Sequence, residues 1–208
     1  MKTTSTDQRF ALLAALGTNT NWDALAVEEV QVGITEGQRA GAEFTQFVKN
    51  GFRIQVGDFF RDTGELTLKL PALRRPTLAE LQAKFSFIKS IERDTSPVEA
   101  VTFNLATVLG DGENSINGAE YERRITPKRT IILGYQHAAW LMDRQKEYPD
   151  LMGLLGKIYI DFSGLVVVRG SGRRDYPYLG QNDKLWFVSW SWVDSDFSRD
   201  GRVAISSK

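Results

Sequence analysis

The residues best suited to chemistry lie close together near the C-terminus. Arg169, Arg173 and Arg174 are followed at once by Tyr176 and Tyr178, and Trp190 and Trp192 come one strand later. Guanidinium groups bind carboxylates and phosphates through two parallel N–H donors, and aromatic faces stack on planar groups. Such a loop, backed by a Trp-bearing strand, suits contact with a protein partner or with exposed nucleic-acid bases. Solvated arginines, a packed Tyr-Pro-Tyr turn and core tryptophans would produce the same letters, since Trp fills cores strongly.

Other constellations are weaker. His137 is the only histidine, and the chain has no cysteine. A metal site of the common His/Cys kinds lacks the second ligand it needs. A catalytic triad would need a nucleophile and an orienting carboxylate brought up by folding. His137 therefore reads as a packed or surface histidine. Asp111-Gly-Glu113-Asn114-Ser115, with Glu120 and Glu122, has the look of a cation loop. Ile116, however, stands where the EF-hand turn requires Gly, and Glu122 takes the closing position. No metal or other cofactor is expected. Asp161, Asp175, Asp194 and Asp196 are candidates for paired carboxylates in a hydrolase cleft, although nothing in their spacing marks two of them as facing one another. Gly170-Ser-Gly172-Arg173-Arg174 lies between strands and opens no helix, so it is not a phosphate-binding P-loop.

The segment that must position these groups is Lys157–Val193, which carries Trp186, Trp190 and Trp192. Ile158, Ile160 and Phe162 alternate with Lys157, Tyr159 and Asp161, the signature of a strand. Ser163-Gly164 is either a tight hairpin turn or a bulge in one long bent strand across 157–169. Leu165–Val168 is apolar on both faces, as a covered central strand would be. From Lys184 to Asp194, Trp186, Val188, Trp190 and Trp192 share one face, and the strand leaves the core toward its end. After the turn Arg199-Asp200-Gly201, Val203–Ser206 is expected as a last strand, which completes a C-terminal meander.

Upstream, three short helices are expected over 7–16, 24–34 and 36–49. A hairpin should follow, with Phe52, Ile54 and Val56 in one arm and Leu66, Leu68 and Leu70 in the other, turning at Asp62-Thr63-Gly64. Thr77-Leu-Ala-Glu80 is a capping box, opening a helix whose stripe is Leu78, Leu81, Phe85, Ile88 and Ile91. Val101–Leu109 alternates as a strand, and 110–118 is a polar surface loop. Asn117 caps a short helix to Arg124. Thr126-Pro127 opens a helix reaching Tyr148, and Asp150–Leu155 adds a turn.

The chain has 208 residues, 42% hydrophobic and 25% charged, which is ordinary globular composition. Lys+Arg and Asp+Glu are 26 each, so a role in coating nucleic acid would require a local basic patch. Absence of cysteine excludes disulfides and thiolate chemistry and fits a reducing cytoplasm. No apolar run is long enough for a membrane span, and the N-terminus lacks a secretory pattern. The expectation is a single α+β domain over 1–208, with a mostly antiparallel sheet and about five helices. The alternative division places a helical subdomain at 1–50. No motif leads to a named family. The expected function is a non-enzymatic binding or assembly module. The competing readings are a hydrolase with paired carboxylates and a single-stranded nucleic-acid binder.

Overall fold

The computed structural model describes residues 31, 34–49, 59–182 and 184–207. The chain divides into two compact units, Met1–Gln55 and Val56–Lys208. In the first, helix α1 (Gly37–Lys49) occupies the third expected helical segment. The helices expected at 7–16 and over most of 24–34, and the strand at 52–57, lie outside the described residues.

The second unit is α+β, built on a mostly antiparallel mixed sheet of eight strands among the described residues. In chain order its elements begin with β1 (Arg61–Leu70), α2 (Leu78–Lys84), β2 (Ile88–Asp94) and β3 (Val101–Thr107). A two-residue strand, β4 (Ser115–Ile116), precedes α3 (Gly118–Ile125) and α4 (Tyr135–Arg144), and α5 (Pro149–Met152) follows. The remaining strands are β5 (Tyr159–Asp161), β6 (Leu165–Arg169), β7 (Arg174–Gln181), β8 (Trp186–Trp192), β9 (Phe197–Ser198) and β10 (Gly201–Ser207). The sheet runs β1-β3-β10-β5-β7-β6-β2, and β8 pairs with β7. β4 and β9 form a separate small ladder.

Ser163-Gly164 takes the second of its two sequence readings. β5 and β6 do not pair with each other. Both run antiparallel along one edge of β7, at Ile160↔Leu179 and at Val167↔Asp175. They are two halves of one interrupted strand. The interruption falls opposite Pro177, whose carbonyl accepts from the Phe162 N–H (2.9 Å). Proline has no N–H to give back, so a ladder would fail there in any case. The gap is filled by Ile132-Leu133, which bridges to Ile205 and accepts the Gly164 N–H at 3.0 Å. A Cβ on Gly164 would lie 2.4 Å from the Ile132 carbonyl oxygen, so only glycine allows this approach.

Several expectations are corrected. The last strand does not extend a meander from β8. β10 instead lies between β3 and β5, antiparallel to the first and parallel to the second. Asp62-Thr63-Gly64 is not a hairpin turn but a bulge within β1, where the register with β3 shifts between Asp62 and Thr67. The local turn chemistry is present all the same: Gly64 has φ +66°, and its N–H donates to Asp62 Oδ1 at 2.8 Å. The capping box at Thr77 and Glu80 forms, but α2 ends at Lys84. Ile88 and Ile91 belong to β2, paired with Arg169 and Val167 of β6. Their β-branched side chains fit a ladder as well as a helical stripe, and an available sheet edge decides between them. Similarly, the helix expected from Thr126 to Tyr148 is broken at Ile132-Leu133. That segment is drawn extended by the sheet, with the Leu133 N–H donating to the Ala204 carbonyl (2.9 Å).

β6 is covered on both faces. Val166 packs with Tyr121, Ile125, Tyr176, Val193 and Phe197 on one side. Leu165 and Val167 pack with Leu81, Ile88, Tyr135 and Trp190 on the other. A further cluster joins Phe103, Leu105, Phe162 and Trp186 to Leu141 of α4 and Leu151 of α5.

Candidate partner-binding surface

The β6–β7 connection is a tight turn with Gly172 at φ +86°. Arg169 N–H donates to the Arg173 carbonyl (2.8 Å), which brings the two side chains together. Both guanidinium groups bind Asp175, which is 0% exposed. The Arg173 Nε bond to Asp175 Oδ1 is 2.6 Å long. Arg169 also stacks over the Phe87 ring, 4.0 Å from its centroid. A buried carboxylate is costly without opposite charge, and two arginines provide it here. Arg174 forks onto Glu92 with two 2.7 Å bonds. That fork holds the Glu92 carboxyl below its ordinary range and raises the Arg174 guanidinium above its own. Each arginine of the loop therefore has a carboxylate partner, although Arg173 and Arg174 keep exposed edges.

Tyr176 turns inward. Its O–H donates to Asp161 Oδ2 at 3.1 Å, and its ring stacks on Tyr121. Tyr121 O–H meets Ser163 Oγ at 2.9 Å. Burial pushes the Asp161 carboxyl up to about 8, with the Tyr176 hydrogen bond opposing it, so Asp161 carries its proton at neutral pH. Its Oδ1 has no hydrogen-bond partner among the described residues. Tyr178 is half-buried and meets Tyr159 edge-on.

β8 passes from core to surface. Trp186 is buried, its Nε1–H donating to the Leu151 carbonyl (3.2 Å). Trp190, 9% exposed, sits among Phe85, Phe87 and Tyr135, stacked on the last at 6.0 Å. Trp192 is 44% exposed, with the Arg173 guanidinium 5.8 Å from its ring. Phe187 and Leu185 are exposed at 38% and 37%. Arg173, Arg174, Trp192 and Asp194 line a shallow recess of about 510 Å³.

β8 is also an edge strand: among the described residues it pairs with β7 alone. The Val193 N–H donates to the Arg174 carbonyl at 3.0 Å, which sets the parity of the ladder. In an antiparallel pair, hydrogen-bonded and non-hydrogen-bonded positions alternate. Ser191, Ser189 and Phe187 thus bond to β7, opposite Tyr176, Tyr178 and Gly180. Trp186, Val188, Trp190 and Trp192 direct their N–H groups outward. Trp186 is capped by Gln145, which accepts its N–H (2.7 Å) and donates to its carbonyl (3.1 Å). No strand covers the outward N–H groups of Val188, Trp190 and Trp192 among the described residues.

The remaining candidates fall elsewhere. His137 is buried. Its Nδ1 accepts the Gly134 N–H at 3.2 Å, its Nε2 is unpartnered, and burial lowers it to about 4. In the loop before α3, Glu113 binds Arg124 at 2.8 Å, and within α3 Glu120 binds Arg123 at 2.6 Å. No group of three or more metal-ligating side chains occurs among the described residues. Of the four carboxylates considered for a cleft, Asp161 and Asp175 are buried and Asp194 and Asp196 are exposed. The other basic pairs are engaged as well: Arg74 with Glu80, Arg75 with the Ser96 carbonyl (2.8 Å), and Arg129 with Glu122 (3.0 Å). No described helix is long and apolar enough to cross a membrane.

Sequence reasoning did not foresee Gln145 as the cap of β8, or Asp175 as the anchor of the arginines. The run Arg173-Arg174-Asp175 offered a hint of the second, because alternate strand residues share a face. Compared with known proteins, the chain matches no family model, no curated protein and no solved structure.

Proposed function

We propose that this chain is a binding or assembly module, not an enzyme, whose contact surface is the outer edge of β8 together with the β6–β7 turn. The observation that carries the reading is the run of backbone N–H groups at Val188, Trp190 and Trp192 that no strand covers among the described residues, flanked by exposed Phe187 and Trp192. A bare, uncharged edge strand is a template for another strand, and proteins that do not use such an edge ordinarily blunt it with charge, proline or a bulge. β8 (WFVSWSW) has none of these. Strand addition draws affinity from main-chain bonds and specificity from alternate side chains. In this reading Trp192, Phe187, Arg173 and Arg174 touch the partner. Arg169, Tyr176 and Trp190 hold the surface in shape from behind, and Tyr178 lies farther along β7. The partner is a protein segment in extended form, because carboxylates already occupy the arginines that nucleic-acid phosphates would need.

The test is Val188→Pro. Proline removes one outward N–H and leaves the bonds to β7 intact, which an edge strand tolerates. Peptides selected from a random displayed library on the wild-type protein are expected to bind the variant about tenfold or more weakly. Val188→Ala, which loses the same packing against the core but keeps the N–H, is the control for stability. Undiminished peptide binding, or salt-sensitive binding of single-stranded oligonucleotides lost in Arg173→Ala/Arg174→Ala, would overturn the reading.

A further inference from the structure

The β8 edge has a property that a general peptide-binding edge does not need: it is complementary to itself. We infer that its occupant is a second copy of this chain, joined β8 to β8 in antiparallel fashion across a two-fold axis at Trp190. The inference rests on the reading of β8 as a contact edge and names the partner.

Three features converge on this arrangement. The first is the hydrogen-bond pattern. Gln145 already takes the N–H and carbonyl of Trp186, so the outward donors left among the described residues are those of Val188, Trp190 and Trp192. They are symmetric about Trp190. An antiparallel copy centred there sets Trp190 opposite its equivalent and Val188 opposite Trp192 of the other chain, at hydrogen-bonded positions. The Trp192 carbonyl also accepts the Ser195 N–H (2.9 Å), so there the second copy shares that acceptor.

The second is side-chain complementarity. In that register Trp192, 44% exposed, lies across from half-buried Val188, and Phe187, 38% exposed, from Val193. Aromatic and β-branched residues are favourable cross-strand neighbours. Trp192 is thereby covered by Val188 of the other copy, whereas Val193, 1% exposed, is already packed within its own chain and gives Phe187 only a backbone neighbour.

The third is charge. Lys184 stands just before the strand, and Asp194 and Asp196 stand just after it, all three exposed. Antiparallel pairing sets Lys184 of one strand opposite Asp196 of the other, while Asp194 stays beside Arg173 and Arg174 of its own chain. Parallel pairing would set like charges together, which disfavours it.

The chain contains no cysteine, so single thiols can report the register without interference. In the proposed pairing Ser189 faces Ser191 of the other copy at a non-hydrogen-bonded position, where Cα atoms lie about 4.5 Å apart, within disulfide reach. Under mild oxidation a mixture of Ser189→Cys and Ser191→Cys proteins is expected to give the mixed disulfide dimer, and each alone to give little. Wild-type protein is expected to show concentration-dependent dimerisation by sedimentation, weakened about tenfold or more by Val188→Pro. Self-crosslinking of Ser189→Cys alone would overturn the register. A protein that stays monomeric up to millimolar concentration while still binding displayed peptides through Val188 would overturn the homotypic partner and leave the binding reading standing. If Val188→Pro alters neither self-association nor peptide binding, both fall.

Discussion

Replacing Asp161 by Asn should change how the stability of this protein depends on pH. Asp161 lies on β5, fully enclosed, with the Tyr176 hydroxyl on one oxygen and no hydrogen-bond partner among the described residues on the other. Burial moves its carboxyl from an ordinary 3.8 up to about 8. Between those values the folded chain holds a proton that the unfolded chain has lost. The stability that Asp161 contributes is therefore greatest below about pH 4, falls as pH rises toward 8, and levels off above that. At 1.36 kcal/mol per unit, the full displacement corresponds to a loss on the order of 5 kcal/mol. The neighbouring titratable groups do not blur this window. Tyr121, Tyr159 and Tyr176 are all raised above the usual phenol value, so they stay neutral throughout it. Asparagine retains an acceptor for Tyr176 and abolishes the titration. Urea unfolding at intervals from pH 5 to 9 provides the readout. The difference in unfolding free energy, Asp161→Asn minus wild type, should grow steadily with pH and flatten near pH 8. A difference that is constant across the range would show that Asp161 is ionised in the folded protein, or that water reaches it, and would refute the argument.

Two further outcomes follow from the same side-chain environments. His137 has the opposite sign to Asp161: its folded value of about 4 lies below the ordinary 6.5, so its contribution is present above pH 6.5 and lost on acidification through that window. His137→Gln should remove that acid-limb slope in an unfolding series from pH 7 to 4, and an unchanged slope would place the sensitive group elsewhere. The tryptophans of β8 should separate cleanly. Trp190→Ala should cost about 3–5 kcal/mol by opening the Phe85–Phe87–Tyr135 cluster, whereas Trp192→Ala should cost about 0.5 kcal/mol or less. Thermal melts check both, and equal losses would mean that Trp192 is packed.

Local patterns were read correctly where one face of an element alone decides its state. The alternation over 101–109 appears as β3, which ends at Thr107, the capping box at Thr77/Glu80 opens α2, and Asn117 caps α3 by accepting the Glu120 N–H. Patterns that suit two structures were settled by what lay beside them. Ile88 and Ile91 satisfy a helical stripe, yet the edge of β6 draws them into β2. Ile132-Leu133 continues a helical spacing, yet the gap opposite Pro177 pulls it straight. The candidate surface divides in the same way. The sequence showed three arginines, two tyrosines and two tryptophans in a short span. It did not show that Asp175 and Glu92 occupy the arginines, or that Trp190 is inside and Trp192 outside.

Composition, alternation and capping chemistry alone determined an α+β chain with an antiparallel-rich sheet and a tryptophan strand running outward near its C-terminus. Each of these depends on neighbours a few residues apart, and side-chain period and backbone preference act at that range. Only tertiary structure decided that β10 lies between β3 and β5, that Gln145 closes one end of β8, and that no strand among the described residues covers the N–H groups of Val188, Trp190 and Trp192. Those outcomes join residues tens of positions apart. They depend on which backbone groups are already paired when the strands meet, a property of the assembled sheet that no single segment carries.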